Sequence, residues 1–125
     1  NAVARGILAV DPNLAFTVMP GTATERACHR AGLRPIREIY ADRTYDDNFN
    51  LTNRKFKGAV ISDIEFALTR VTEMITEGQL ISVTGKRLTT EIDSVCVHGD
   101  TAKAFTMAKT LRDGLEKAGY KVFPA

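Results

Sequence analysis

Residues Ser94 to Thr101 read SVCVHGDT, and the abrupt change of character within this stretch decides the fold. Four strand-forming residues, Ser94 to Val97, end in His98, Gly99 and Asp100, and a helical pattern opens at Thr101. A strand that runs directly into a helix is one βα unit of a parallel sheet, where a crossover must carry the chain back. Such a strand is expected to be buried on both faces. An imidazole and a carboxylate at its end are therefore out of place as packing groups. They fall where α/β proteins build their sites, at the C-terminal ends of strands.

Upstream, Ala2 to about Val10 has helical spacing and is stopped by Asp11-Pro12, because proline disfavours helix at the residue before it. Leu14 to Met19 reads as a short buried strand. Thr22 with Glu25 forms a capping box for a helix that Gly32 closes, and Pro35 leads into a strand from Ile36 to Tyr40. Residues 41–58 (ADRTYDDNFNLTNRKFKG) follow neither period, and a loop so long is usually functional or disordered. Its interleaved Tyr45, Phe49, Leu51 and Phe56 predict that it folds down onto the body.

A second capping box, Ser62 with Glu65, opens a helix with the apolar stripe Ile64, Ala67, Leu68, Val71 and Ile75, ending at Gly78. Leu80 to Val83 and Arg87 to Thr90 form a hairpin around Thr84-Gly85-Lys86. The helix from Thr101 carries Ala104, Ala108, Leu111 and Leu115 on one face and ends at Gly119, and Tyr120 to Phe123 supplies a last strand. The expectation is an α/β fold with one domain over residues 1–125. Its roughly four parallel strands are too few to close a barrel.

With 44% apolar and 26% charged residues, the composition excludes a disordered chain or a coiled coil. The 17 basic and 15 acidic residues are scattered, so no nucleic-acid partner is expected. The basic run Arg54 to Lys57 reads as solvated loop. No apolar run has the length of a bilayer span and no secretory signal opens the chain, which predicts no membrane association and a cytoplasmic location. Cys28 and Cys96 show no metal-knuckle spacing and read as free buried thiols. The chain starts at Asn1 and enters a helical pattern at once, as expected of a piece cut from a longer protein.

Two clusters carry the candidate chemistry. Histidine is the side chain that ordinarily changes charge near neutrality, so His98 suits an acid, a base or a hydrogen-bond donor. Asp100 suits cation binding, orientation of His98, or simply the N-cap of the next helix. The pair is no metal signature, since the other histidine, His29, lies within a helix. In the second cluster, Glu38 sits among apolar strand residues, and Asp42 and Arg43 follow at the strand end. A charge there needs a partner. A Glu38–Arg43 or Asp42–Arg43 ion pair is one reading, a catalytic or substrate-binding role the other. The planar fork of Arg43 suits a carboxylate. Arg54 reaches into the site from the long loop or stays on its surface. Thr84-Gly85-Lys86 is too short for a phosphate loop.

The segments EIYADRTYDDNFNLTNR (Glu38 to Arg54), Gly58-Ala59-Val60, ISVTG (Ile81 to Gly85) and SVCVHGDT (Ser94 to Thr101) together resemble the C-terminal half of the LamB/YcsF family of lactam-utilisation proteins. Asp47-Asn48, Lys57-Gly58 and Ala102-Lys103 depart from the family's usual Asp-Gly and Pro-Gly pairs without removing a candidate catalytic group. The resemblance implies an irregular TIM-like barrel of which this chain is the C-terminal part. A missing N-terminal half would carry acidic and histidine motifs of its own, and this chain alone would be inactive. It also implies the ATP-dependent 5-oxoprolinase reaction, opening of 5-oxoproline to glutamate, carried out with two further subunits. On that reading His98 and Asp100 handle protons or position water. Arg43 or Arg54 holds the substrate carboxylate or a phosphate, and Glu38 and Asp42 hold those arginines or act as base. A metal-dependent amide or N-acetyl hydrolase, and a non-catalytic fragment that binds a second chain through its open sheet edge, are the alternatives.

Overall fold

The computed structural model describes residues 2–100 and 102–124. In chain order the elements are α1 (Ala2–Val10), β1 (Ala15–Val18), α2 (Ala23–Arg30), β2 (Arg34–Tyr40), α3 (Ile64–Glu77), β3 (Gln79–Ile81), β4 (Arg87–Thr89), β5 (Ser94–Cys96) and α4 (Ala104–Lys117). Strands β1, β2 and β5 form a parallel sheet in that order, and β3 and β4 form a separate antiparallel hairpin. None of the helices described is long and apolar enough to cross a membrane.

Alternation along β2 sorts the sheet into two faces. Ile39 and, just beyond the strand, Ala41 are fully buried in the main core with Val71 and Met74 of α3 and Leu111 and Leu115 of α4. A smaller cluster, Ala4, Val18, Cys28 and Leu33, seals α1 and α2 against β1. Glu38 and Tyr40 occupy the opposite face and are only half-buried.

The caps explain where the helices begin and end. Thr22 Oγ1 accepts the Glu25 N–H at 3.3 Å, while the Glu25 carboxylate reaches one residue further back, to the Gly21 N–H at 2.7 Å. For α3 the capping residue is Asp63, whose carboxylate accepts the Phe66 N–H at 3.0 Å. The expected Ser62 box is thus displaced by one residue, because a carboxylate is the stronger acceptor for the helix start. Gly78 ends α3 in the left-handed conformation.

Three other expectations are corrected. Strand β5 is half-buried throughout rather than buried on both faces, since it lies at the sheet edge with β2 on one side only. Tyr120 to Phe123 is irregular, having no strand to pair with among the described residues. Helix α4 begins at Ala104 with Lys103 at its cap, and its buried stripe is Met107, Leu111 and Leu115, with Ala108 exposed. Asp100 therefore does not cap it, and the Thr101 start lies outside the described residues. Cys96 is likewise half-buried, whereas Cys28 is fully buried.

The long loop is folded down as expected, apart from the exposed Phe56. Tyr45 is fully buried and its hydroxyl accepts the Tyr40 N–H at 2.6 Å. The backbone doubles back through antiparallel bridges between Arg43 and Val60 and between Tyr45 and Leu51. Asp47 pins the loop to the hairpin by accepting from Ser82 Oγ at 2.6 Å and Thr84 Oγ1 at 2.7 Å. At the far end, Phe49 packs on Gly21 so closely that a β-carbon there would stand 2.2 Å from its ring.

Candidate functional site

The register of β2 with β5 constructs the site. Glu38 pairs with Ser94, Ile39 with Val95 and Tyr40 with Cys96. Parallel partners project to the same side, so residues two positions beyond the last pair meet in turn. Those residues are Asp42 and His98. The His98 Nδ1 lies 2.8 Å from each carboxylate oxygen of Asp42. Ser94 Oγ donates to Glu38 at 2.9 Å further down the same face. Three rungs, Glu38–Ser94, Tyr40–Cys96 and Asp42–His98, therefore climb the same face towards the strand ends.

The two members of the top rung differ in environment. The Asp42 side chain is 9% exposed and that of His98 28%. The carboxylate is thus buried at the base and the imidazole stands at the surface. An anion on Nδ1 holds the proton there and leaves Nε2 as the free base. Tyr40 stacks on the imidazole with the rings 5.5 Å apart and 20° from parallel, which fixes its plane. Burial pushes the Tyr40 phenol upward, reinforced by Cys96 and Glu38. Burial also raises the Cys96 thiol, and the Glu38 and Asp42 carboxylates raise it further.

Neither expected ion pair to Arg43 is present among the described residues. Asp42 is taken by His98 and Glu38 by Ser94. The Arg43 guanidinium turns into the long loop, where it donates to the Ala59 and Thr52 carbonyls at 3.2 and 2.8 Å. Arg54 is exposed on that loop, and Asp100 is exposed beyond the dyad with no hydrogen bond among the described residues. The carboxylate that orients His98 is Asp42, 56 positions away, rather than Asp100 next door. Among the described residues no three His, Cys, Asp or Glu side chains gather into a metal-holding group.

Sequence reasoning selected His98, Asp42 and Glu38 but missed Tyr40, Ser94 and the direct contact. The signal was there in one form: three polar or aromatic residues at alternate positions, 38, 40 and 42, matched by three at 94, 96 and 98. It also missed Arg37, half-buried between Glu25, Glu91 and Asp93, which holds α2 and the start of β5 to β2.

Comparison with known proteins gives a consistent picture. The profile of the LamB/YcsF family matches residues 1–125. The chain is 44% identical to a 5-oxoprolinase subunit of Bradyrhizobium diazoefficiens over 123 residues, 98% of this chain and 48% of that protein. It is 38% identical to the corresponding 5-oxoprolinase subunit of Clostridium beijerinckii, with the same coverage. The crystal structure of a lactam utilization protein from Thermus thermophilus superposes with a TM-score of 0.86 at 34% identity, covering 97% of this chain and 48% of that one. The chain thus spans about half the length of the curated relatives it matches.

Proposed function

The chain belongs to the LamB/YcsF family, and from that premise we propose that it is the C-terminal half of a cytoplasmic 5-oxoprolinase component, which opens 5-oxoproline to L-glutamate in an ATP-dependent reaction with partner subunits. The observation that carries the proposal is the His98–Asp42 contact at the C-terminal ends of two adjacent parallel strands. The relatives' printed names supply the substrate class.

The lactam carbonyl is a resonance-stabilised amide and its nitrogen a poor leaving group, which is why ATP is consumed to activate it. In this chain His98 Nε2 takes a proton from the attacking water, and Asp42 stabilises the imidazolium that forms. Once the ring C–N bond breaks, the same imidazolium returns a proton to the nitrogen. Glu38, held by Ser94, keeps a second carboxylate on the same face. Arg54 and Asp100 are the exposed charges that meet the substrate from the rim, and Arg43 acts indirectly by holding the loop that carries Arg54.

The Thr84-Gly85-Lys86 segment does not fit the phosphates of ATP. Thr84-Gly85-Lys86 is a hairpin tip rather than a strand-to-helix loop, and Lys86 Nζ turns back onto the Asp47 carbonyl at 3.4 Å. The polar face of a three-stranded sheet is also no barrel. A companion half would supply the remaining strands of a barrel of about eight and cover Glu38, Tyr40 and Cys96.

Full-length protein with its partner subunits tests the reading. ADP release in proportion to 5-oxoproline consumed, lost in Asp42→Asn and His98→Gln, is the expected result. Hydrolysis that continues without ATP and stops with a chelator would favour the metal-dependent amidase instead.

A further inference from the structure

Below the His98–Asp42 contact, the polar face of the sheet holds two groups with unused hydrogen-bonding capacity. Glu38 Oε2 accepts from Ser94 Oγ at 2.9 Å, and Oε1 has no hydrogen-bond partner among the described residues. Tyr40 is bonded through its backbone N–H, to the Tyr45 hydroxyl, while its own hydroxyl has no partner among the described residues. Neither atom is sealed inside the packing, since Thr52 Oγ1 is the one buried side-chain nitrogen or oxygen left unpaired among the described residues. Both side chains belong to half-buried residues.

The two groups are opposite in sense. Burial, reinforced by Cys96 and Glu38, pushes the Tyr40 phenol upward, so it keeps its proton at neutral pH and donates. The Glu38 carboxylate accepts. They stand two positions apart on β2, hence on one face and about 6.6 Å apart along the strand. Beside them the Tyr40 ring lies on the His98 imidazole, 5.5 Å between centres.

An acceptor next to a donor is the complement of a cis amide. In a lactam the small ring forces the amide cis, so N–H and C=O emerge side by side along one edge. A linear secondary amide is almost entirely trans and points the two groups in opposite directions. It satisfies one of the two residues but not both.

We propose that Glu38 and Tyr40 recognise the cis-amide edge of the lactam, Glu38 Oε1 accepting from the ring N–H and Tyr40 Oη donating to the ring carbonyl oxygen. The inference rests on the reaction proposed above and adds the residues that select a cyclic amide over a linear one. Because Tyr40 stacks on His98, the carbonyl end of the bound edge lies on the side of the dyad and the N–H end on the side of Ser94.

The test uses the full-length protein with its partner subunits. Ligand-observed NMR without ATP reads binding, and steady-state assay with ATP reads turnover of 5-oxoproline. The probes are 5-oxoproline, its linear trans-amide counterpart N-acetylalanine, and N-methyl-5-oxoproline, which lacks the N–H. The wild type is expected to bind 5-oxoproline at least about tenfold more tightly than either analogue. Tyr40→Phe keeps the ring on His98 and loses only the O–H. It should weaken 5-oxoproline by about threefold to tenfold and narrow the preference over N-acetylalanine. Glu38→Leu removes the acceptor and should erase the preference for 5-oxoproline over its N-methyl form. Should Glu38→Leu fail to fold, Tyr40→Phe and the wild-type comparison of the three probes still decide. Turnover of 5-oxoproline with the preferences unchanged in the variants overturns this assignment and leaves the reaction standing. Preferences that collapse in the variants of a protein that binds 5-oxoproline without turning it over support the assignment and overturn the reaction. Equal binding of N-acetylalanine, or no saturable binding of 5-oxoproline, overturns the assignment.

Discussion

Asp42 and His98 face each other two residues beyond the register pair Tyr40 and Cys96, with the imidazole Nδ1 2.8 Å from both carboxylate oxygens. The contact follows from the strand register carried two residues beyond the last pair. Replacing Asp42 by Asn keeps the shape but removes the anion that fixes the tautomer. Activity of the full assembly is expected to fall by about a hundredfold or more, as in His98→Gln, with the double variant little worse than either single one. Steady-state rates of the three variants check this, and additive losses would show that the two residues work separately.

Cys96 reports on the same face. Its thiol is pushed up by burial and then by Glu38 and Asp42, so the thiolate is scarce at neutral pH and alkylation by iodoacetamide should be slower than for free cysteine. Asp42→Asn or Glu38→Gln removes one of the anions and should speed the reaction. Mass spectrometry of the labelled peptide reads the rate at Cys96 separately from that at the fully buried Cys28.

The long loop should loosen in acid. Hydrogen bonds from Ser82 and then Thr84 hold the Asp47 carboxyl below its ordinary value, and Asn50 and the Asn48 N–H do the same for Asp46. A depressed folded pKa gives stabilisation that is complete above the ordinary carboxylate value of about 3.9 and is lost as pH falls through the lower folded value. Hydrogen exchange over residues 44–58 should therefore accelerate below about pH 4, and Asp47→Ala should show the same acceleration at neutral pH.

Gly21 cannot carry a side chain in the present packing. Its φ is +72°, and a β-carbon would lie 2.2 Å from Phe49 Cγ. Gly21→Ala is expected to cost about 1–3 kcal/mol through overpacking and backbone strain. Adding Phe49→Ala relieves the clash but not the strain, so the double variant should recover part of the loss. Chemical denaturation of the two singles and the double measures it, and a fully additive result would place Phe49 away from Gly21.

Much of this was readable in the chain itself. The parallel α/β character, the two capped helices, the hairpin and the family follow from periodicity, turn residues and the SVCVHGDT and ADR-type segments, because these are local signals that neighbours in sequence enforce. The locations of His98 and Asp42 at strand ends, and of Glu38 within its strand, were legible for the same reason. Their partners were not. A sequence places Asp100 beside His98, whereas the register of two strands brings in Asp42 from 56 positions away and gives Glu38 to Ser94 rather than to an arginine. Arg70 reads in sequence as one more polar residue beside an apolar stripe, and only the packing of the loop and hairpin over α3 buries its charge. Local chemistry determines which elements form. Which side chains meet, and which lose contact with water, is decided by long-range register and packing that single-chain periodicity does not encode.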